Sequence, residues 1–289
     1  MTLEQLRIFT AVADLLSMTR AAERLHLTQP AISAAVAALE ERYATKLFDR
    51  VGRRLELTEA GRLFLPQARA VLAQGDNARR VLEDLAGLLQ GEVRIAASQT
   101  VATYWLPRRM AAFAEAYPNI QLRLDVGNSA RAAARVLDGS ADIGVVEGSV
   151  SEPLLSTRIV GGDRIGIYAA SDHPLANARL RREDLAEAVW VMREPGSGTR
   201  DHLNAGLAKS GIAPEGVRTL LELPSNGAVL EAIEGRALIA GVSELAAISR
   251  VKAGLIRRLD WPLPPRDFRL LLHRERHIGR AVRAFLDTL

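Results

Sequence analysis

Near Gly91 the hydrophobic pattern of the chain changes period. Upstream, apolar residues recur at helical spacing almost throughout. Downstream, short β-rich runs alternate with amphipathic stretches, the pattern of a sheet wrapped by helices. Two domains with a helical joint are expected, and 289 residues suffice for both at the usual domain size. No tandem repeat or low-complexity tract interrupts either half, which sets aside solenoid and disordered architectures.

In the first half Leu3, Leu6, Phe9, Ala13 and Leu16 mark one helical face. Thr19 is placed to cap a short second helix, Arg20 to Leu25. After the tight His26-Leu27 connection, where His26 is read as a packed turn residue, Thr28 is placed to cap a third helix beginning Gln29-Pro30-Ala31-Ile32-Ser33. Proline is harmless there, because the first N–H groups of a helix have no internal partner. With Ile32, Val36 and Leu39 facing inward, Gln29, Ser33, Ala34 and Ala35 lie near the exposed start of a helix joined to its predecessor by a short turn, which is helix-turn-helix geometry. Leu47 to Leu57 then gives two short apolar runs about Gly52, a hairpin with Arg50, Arg53 and Arg54 at its tip, read as a wing. Charge alone argues little, since 38 basic residues face 34 acidic ones over the whole chain. The position of the arginines beside a recognition helix is what gives them weight.

From Thr58 a single helix is predicted to about Gln90, about 48 Å at 1.5 Å per residue. Leu65, Ala68, Leu72, Leu82, Leu85 and Leu89 form its stripe, and Pro66 is expected to kink its early part. That length exceeds what a small domain covers, so self-association is expected.

In the second half Glu92 to Ala97 reads as a strand, Ser98-Gln99-Thr100 as the turn after it, and Val101 to Ala116 as a helix. The unit recurs through Gly127-Asn128-Ser129 and through Glu147-Gly148, and such turns gather at the carboxyl edge of an open α/β sheet, where ligands bind. A second sheet follows, with strands at Arg164 to Ala170 and Val189 to Arg193. The Glu194 to Arg200 turn, containing Gly196, Ser197, Gly198 and Thr199, opens a helix from about Asp201, and Leu223 to Gly227, containing Asn226, opens another. Helix N-termini offer unpaired N–H groups and partial positive charge, so these hydroxyl-rich starts suit an anion. Each hydroxyl taken singly reads equally as a cap of its own helix. An ionised Glu147 in a partly closed cleft needs a donor, which Arg193 is placed to supply; if Glu147 faces the ligand, an effector with both an acidic group and an amine or hydroxyl fits better than a simple inorganic anion.

Phe9 through Leu57, with Thr19-Arg20-Ala21-Ala22, Thr28-Gln29-Pro30-Ala31-Ile32-Ser33, Leu39-Glu40 and Leu47-Phe48-Asp49-Arg50, followed by Leu57-Thr58-Glu59-Ala60-Gly61, resembles the LysR-type transcriptional regulators. The resemblance implies a winged helix-turn-helix with Gln29, Pro30 and Ser33 at the DNA, flanked by Thr19 and Thr28, and with Arg50, Arg53 and Arg54 against phosphates or the minor groove. It departs at Ala34 and Ala35, where the family often carries a basic or amide residue. The rest resembles the family's two-lobed effector domain, like periplasmic binding proteins, and the Arg193 to Arg200 run is close to a branch that includes sulfur-metabolism regulators. The implied cleft residues are Ser98, Gln99, Thr100, Asn128, Glu147, Ser197, Thr199 and Asn226, with Ser129, Arg193 and Gly198 beside them. The expected organisation is 1–58 DNA-binding, 59–90 linker and 91–289 effector-binding, with lobe one at about 91–162 plus 267–289 and lobe two at about 163–266. Expected partners are promoter DNA, a small and anionic effector, RNA polymerase, and further copies of the chain as homodimer or homotetramer.

Other chemistries lack their residues. With no cysteine, thiolate catalysis, Cys-based zinc and iron–sulfur sites are excluded. His273 and His277 stand four apart without the glutamate a zincin needs, and Gly196-Ser197-Gly198 lacks the third glycine of a dinucleotide fingerprint. Neither an enzyme nor a cofactor is expected. The opening Met1 to Arg7 lacks the basic flank and apolar core of a signal peptide, and no run approaches about 18 apolar residues, so a cytoplasmic protein without a membrane partner is expected. The alternative from another class is a cytoplasmic solute-binding protein with no regulatory DNA role.

Overall fold

A computed structural model describes residues 1–52, 54–85, 91–148 and 150–289. The chain forms two compact units, Met1–Leu88 with Leu137–Ser140, and Leu89–Val136 with Ala141–Leu289.

The first unit contains α1 (Leu3–Leu15), α2 (Met18–Leu25), α3 (Gln29–Arg42), the hairpin β1 (Phe48–Val51) and β2 (Arg54–Leu57), and α4 (Glu59–Leu85). Each helix start is explained locally. Thr2 and Gln5 form a reciprocal capping box on α1, Ser17 accepts from the Arg20 N–H on α2, and Thr28 accepts from the Ala31 N–H on α3. Thr19 is therefore not a cap: it lies exposed inside α2, because Ser17 holds the extended backbone that a cap requires. His26 is likewise not packed; it is exposed and ends α2 in a left-handed conformation, φ 54°. Leu6, Phe9, Ile32, Val36 and Leu39 form the core, and the Phe9 ring sits 5.4 Å from Phe48 and 5.1 Å from Phe64, joining the hairpin and α4 to α1. The hairpin turns at Gly52, whose φ of 63° favours glycine. Arg53 lies outside the described residues.

Glu40 fixes the wing's root. Its Oε1 accepts from the Leu47 and Phe48 N–H groups at 2.7 and 3.1 Å, and Lys46 donates to Oε2 at 2.8 Å. Burial pushes this carboxyl up, but Lys46 and the two amides outweigh burial and leave it below its ordinary value. Its contribution is therefore complete above the ordinary carboxylate range and is lost as pH falls through the lowered value. Glu40→Ala is expected to cost about 2–3 kcal/mol by leaving two amides unpaired. Faster hydrogen exchange at Leu47 and Phe48 would register it; unchanged protection there would refute the role.

The linker stripe divides. Ala68 is buried, and Leu65 and Leu72 pack on the first unit's core, whereas Leu63 and Leu82 are 70% and 68% exposed. Its predicted end, residues 86–90 with Leu89, lies outside the described residues, and Pro66 sits inside the helix.

The second unit runs β3 (Gly91–Ser98), a π-helical turn (Val101–Trp105), α5 (Leu106–Ala116), β4 (Ile120–Gly127), α6 (Ser129–Asp138), β5 (Ile143–Glu147) and β6 (Leu155–Ala170). It continues with α7 (Arg182–Glu187), β7 (Val189–Arg193), α8 (Gly198–Lys209), β8 (Arg218–Leu223), α9 (Asn226–Ile233) and β9 (Ile239–Ser243), and then α10 (Glu244–Lys252), β10 (Ile256–Arg258), β11 (Pro265–His273) and α11 (Arg280–Leu286). The strand order is β4-β3-β5-β11-β6-β9-β7-β8, with β10 beside β6. β3 is parallel to β4 and β5, and β7 is parallel to β8 and β9. These two parallel halves are joined by the antiparallel pair β6 and β11. The second sheet expected from Arg164 onward is thus continuous with the first, because β6 is a 16-residue strand that pairs in both halves.

Each half has its own core. One is built on Phe113, Phe268 and Phe285, and the other covers both faces of its strands with Trp190 and Leu203 on one side and Val191 and Leu230 on the other. The expected helix from Val101 is present, but it begins earlier, so that Gln99 and Thr100 are helical and not in a turn, and its stretch Val101–Trp105 is π-helical. The Leu106 N–H reaches back to the Val101 carbonyl, and Pro107, which has no N–H to donate, stands at the start of α5.

Candidate functional site

Two surfaces collect the residues singled out from the sequence. On the first unit, Ile32, Val36 and Leu39 turn inward, leaving Gln29, Pro30 and Ala34 exposed and Ser33 half-buried at the start of α3. Gln29 Nε2 donates to Ser33 Oγ at 2.8 Å, one turn apart, so the two polar groups hold each other in place. Thr28 is exposed at the cap, and Thr19 is exposed on α2. Arg50 and Arg54 are exposed on β1 and β2, which pair in register, and neither makes an ion pair among the described residues.

In the second unit the strand ends gather the rest. Ser98 pairs with Gly127 across β3 and β4, and Arg193 with Leu223 across β7 and β8, so the turns that follow lie at the carboxyl edges of both halves. Asn226 bridges the halves: its Nδ2 donates to Thr100 Oγ1 at 2.9 Å, its N–H to Gln99 Oε1 at 3.1 Å, and its Oδ1 accepts from Arg193 Nη1 at 3.2 Å. Asn128 Nδ2 donates to the Pro195 carbonyl at 3.3 Å. Ser98, Thr100, Ser129, Glu147, Arg193, Ser197, Thr199 and Asn226 are all buried, whereas Gln99 and Asn128 are half-buried.

The four helix starts are not equivalent. Asn128 accepts from the Arg131 N–H on α6, and Ser225 accepts from the Ala228 N–H on α9, so these side chains serve their own helices. Ser197 stands at the cap position of α8 but makes no side-chain cap bond, and Thr100 is already helical, its Oγ1 taken by Asn226. Ser98 Oγ is buried with no hydrogen-bond partner; it faces Glu147 without reaching bonding geometry. A buried hydroxyl without a partner is costly, so this group suits a ligand.

The cation expected at Glu147 is a different arginine. Arg193 is committed to Glu194, at 2.8 and 3.0 Å, and to Asn226. Arg266 on β11 reaches Glu147 instead, at 3.8 Å, while clasping Asp163 on β6 at 2.5 and 2.8 Å and donating to Thr199 Oγ1 at 3.0 Å. Ser243 Oγ completes Asp163 at 2.5 Å. No local sequence signal marks Arg266, Asp163 or Ser243, because only the antiparallel pairing of β6 with β11 brings Arg266 and Asp163 side by side. Burial pushes the Glu147 carboxyl up, but Arg266 and the Ser98 and Thr100 hydroxyls outweigh it and hold it below the usual carboxylate range. Gly198 is required by close approach: a Cβ there would lie 2.7 Å from both the Glu147 carbonyl and Ser129 Oγ.

A helix-turn-helix with a basic hairpin, and a two-lobed α/β unit with polar helix starts meeting at its strand ends, define a DNA-binding regulator that carries a small-ligand domain. Residues 3–62 match the bacterial regulatory helix-turn-helix proteins of the lysR family, and residues 86–289 match the LysR substrate binding domain. The chain belongs to the LysR family: it is a transcriptional regulator and not an enzyme. It is 36% identical over 296 residues to the uncharacterized HTH-type transcriptional regulator YeiE of Escherichia coli K12, covering 99% of this chain and 96% of that one. The full-length regulator CbnR, solved with its target DNA, shares the fold at a TM-score of 0.69 and 21% identity, covering 100% of this chain and 98% of that one. The regulatory domain of Synechocystis PCC6803 CcmR in complex with 2-PG matches at a TM-score of 0.62 and 28% identity, covering 68% of this chain and 95% of that domain. The helix-turn-helix match decides against a solute-binding protein with no DNA role. No helix among the described residues is long and apolar enough to cross a membrane.

Proposed function

We propose that α3 reads operator DNA through Gln29, Pro30 and Ser33, with Thr19 and Thr28 beside the backbone and the Arg50, Arg53 and Arg54 wing on phosphates. Ser98, Gln99, Thr100, Asn128, Ser129, Glu147, Arg193, Ser197, Gly198, Thr199 and Asn226 surround a small effector with an anionic group. The observation that carries the effector reading is the pair of buried serines, Ser98 with its hydroxyl unpartnered and Ser197 with no cap bond to its own helix. The exposed Leu82 of α4, on the stripe expected to self-associate, offers a contact to a second copy, in a homodimer or homotetramer that sets paired recognition helices in major grooves about 34 Å apart. The protein works in the cytoplasm, where the promoter and RNA polymerase are. Residues 1–58 bind DNA, 59–90 link and 91–289 sense, with the lobes dividing near 162 and 267. Effector binding must favour one lobe arrangement over another, since a ligand with equal affinity for both shifts nothing.

Separation of function tests this. Gln29→Ala or Ser33→Ala is expected to lose about 1–3 kcal/mol of operator preference. Arg50→Ala should weaken all DNA alike and lower the salt slope by about 1. Thr100→Val with Thr199→Val should remove the effector response and spare DNA binding. Footprinting in a salt series reads all three, and the opposite pattern would overturn the assignments.

A further inference from the structure

The buried ionic groups at the cleft do not balance. Arg193 is matched by Glu194, and Arg266 is matched by Asp163 through two nitrogens. Glu147 is the surplus carboxylate: its Oε2 accepts from Ser129 Oγ at 3.1 Å, the Ser98 and Thr100 hydroxyls face it, and the Arg266 guanidinium stands 3.8 Å from Oε1, beyond hydrogen-bond distance. The groups facing it are Arg266 from β11, Ser129 from α6, and Ser98 and Thr100 at the end of β3, while the start of α8 closes over it at Gly198. A bare anion seated among these hydroxyls would meet a buried like charge with no proton between them, which is costly at low dielectric.

Resting on the reading of this cleft as the effector site, we propose that Glu147 is its specificity-determining residue, admitting only effectors that give it a hydrogen bond. The class is a small oxyanion that keeps a proton near neutrality, or an acid carrying a hydroxyl or ammonium group. Its acceptor oxygens take the Ser98 and Ser197 hydroxyls and the α8 N–H groups, and its donor takes Glu147 Oε1. Fully ionised oxyanions of the same size are rejected.

Inorganic phosphate and sulfate separate the two cases, since they share tetrahedral shape and only phosphate retains a proton near neutral pH. Calorimetric titration of the full chain at constant ionic strength is expected to give phosphate an advantage of about 10–100-fold, the worth of a hydrogen bond to a charged group. Glu147→Gln should reduce that advantage to less than about threefold, by admitting sulfate and weakening phosphate. Sulfate binding to the variant alone would also support the exclusion. Wild-type binding of sulfate as tight as that of phosphate, or a preference unchanged in Glu147→Gln, would overturn the selectivity and leave the cleft reading standing. If neither anion binds either protein, the anion-cleft reading fails and the selectivity with it. Should Glu147→Gln not fold, the wild type decides: phosphate affinity must fall as pH rises through the second ionisation of phosphate, and a rise or no change contradicts the proposal.

Discussion

Replacing Arg266 with alanine is expected to destabilise the effector domain by about 3–5 kcal/mol, because the change leaves buried carboxylates without their cation. Arg266 is 3% exposed, and it serves Asp163, Thr199 and Glu147 at once. Removing it strands groups on β5, on β6 and at the start of α8. The pH dependence carries a sign that simple loss of packing would not. In the wild type, Glu147 is held below its ordinary value, so its contribution is present above the ordinary carboxylate range and is lost as pH falls through the lowered value. In Arg266→Ala burial acts on Glu147 with no cation to oppose it, the carboxyl is pushed up, and mild acid should recover stability. Denaturant melts of the two proteins across acid pH therefore diverge in slope. Parallel slopes would show that Arg266 matters only as volume.

Gly198→Ala should weaken effector binding by about 5–150-fold, the equivalent of the roughly 1–3 kcal/mol that overpacking costs. The added methyl lies 2.7 Å from the Glu147 carbonyl and from Ser129 Oγ, so α8 cannot close on the end of β5 without a backbone shift. The same change removes a glycine from the first turn of α8 and lowers unfolded-chain entropy, effects that favour the folded helix. Binding and local helix stability should consequently move in opposite directions. Calorimetry with inorganic phosphate reads the first and hydrogen exchange along α8 reads the second. Unimpaired phosphate binding would mean that the approach of α8 to Glu147 plays no part in the closed arrangement.

The sequence disclosed local structure more readily than long-range pairing. The Thr28 cap, the proline in the first turn of α3 and the buried triplet Ile32, Val36 and Leu39 all depend on neighbours within a turn or two. Thr19 misled because Ser17 and Thr19 both carry cap-forming hydroxyls, and only the backbone at Ser17 distinguishes them. At the cleft, the strand-end turns were legible, since residues after parallel strands collect at one edge. The partner of Glu147 was not. Arg193 looked available, yet the adjacent Glu194 takes it. Arg266 meets Asp163 across 103 residues through an antiparallel register that no local pattern encodes. Which hydroxyls stay uncommitted was equally hidden: Ser225 caps and Ser197 does not, though both precede a helix.

Operator recognition by α3 is tested most directly by capturing fragments of the source genome on the purified full chain at near-physiological salt and sequencing what is retained. A few promoter fragments sharing an interrupted palindrome are expected, with the enrichment lost in Gln29→Ala with Ser33→Ala. Uniform retention of all fragments, or the same enrichment in the α3 variant, would contradict recognition by α3.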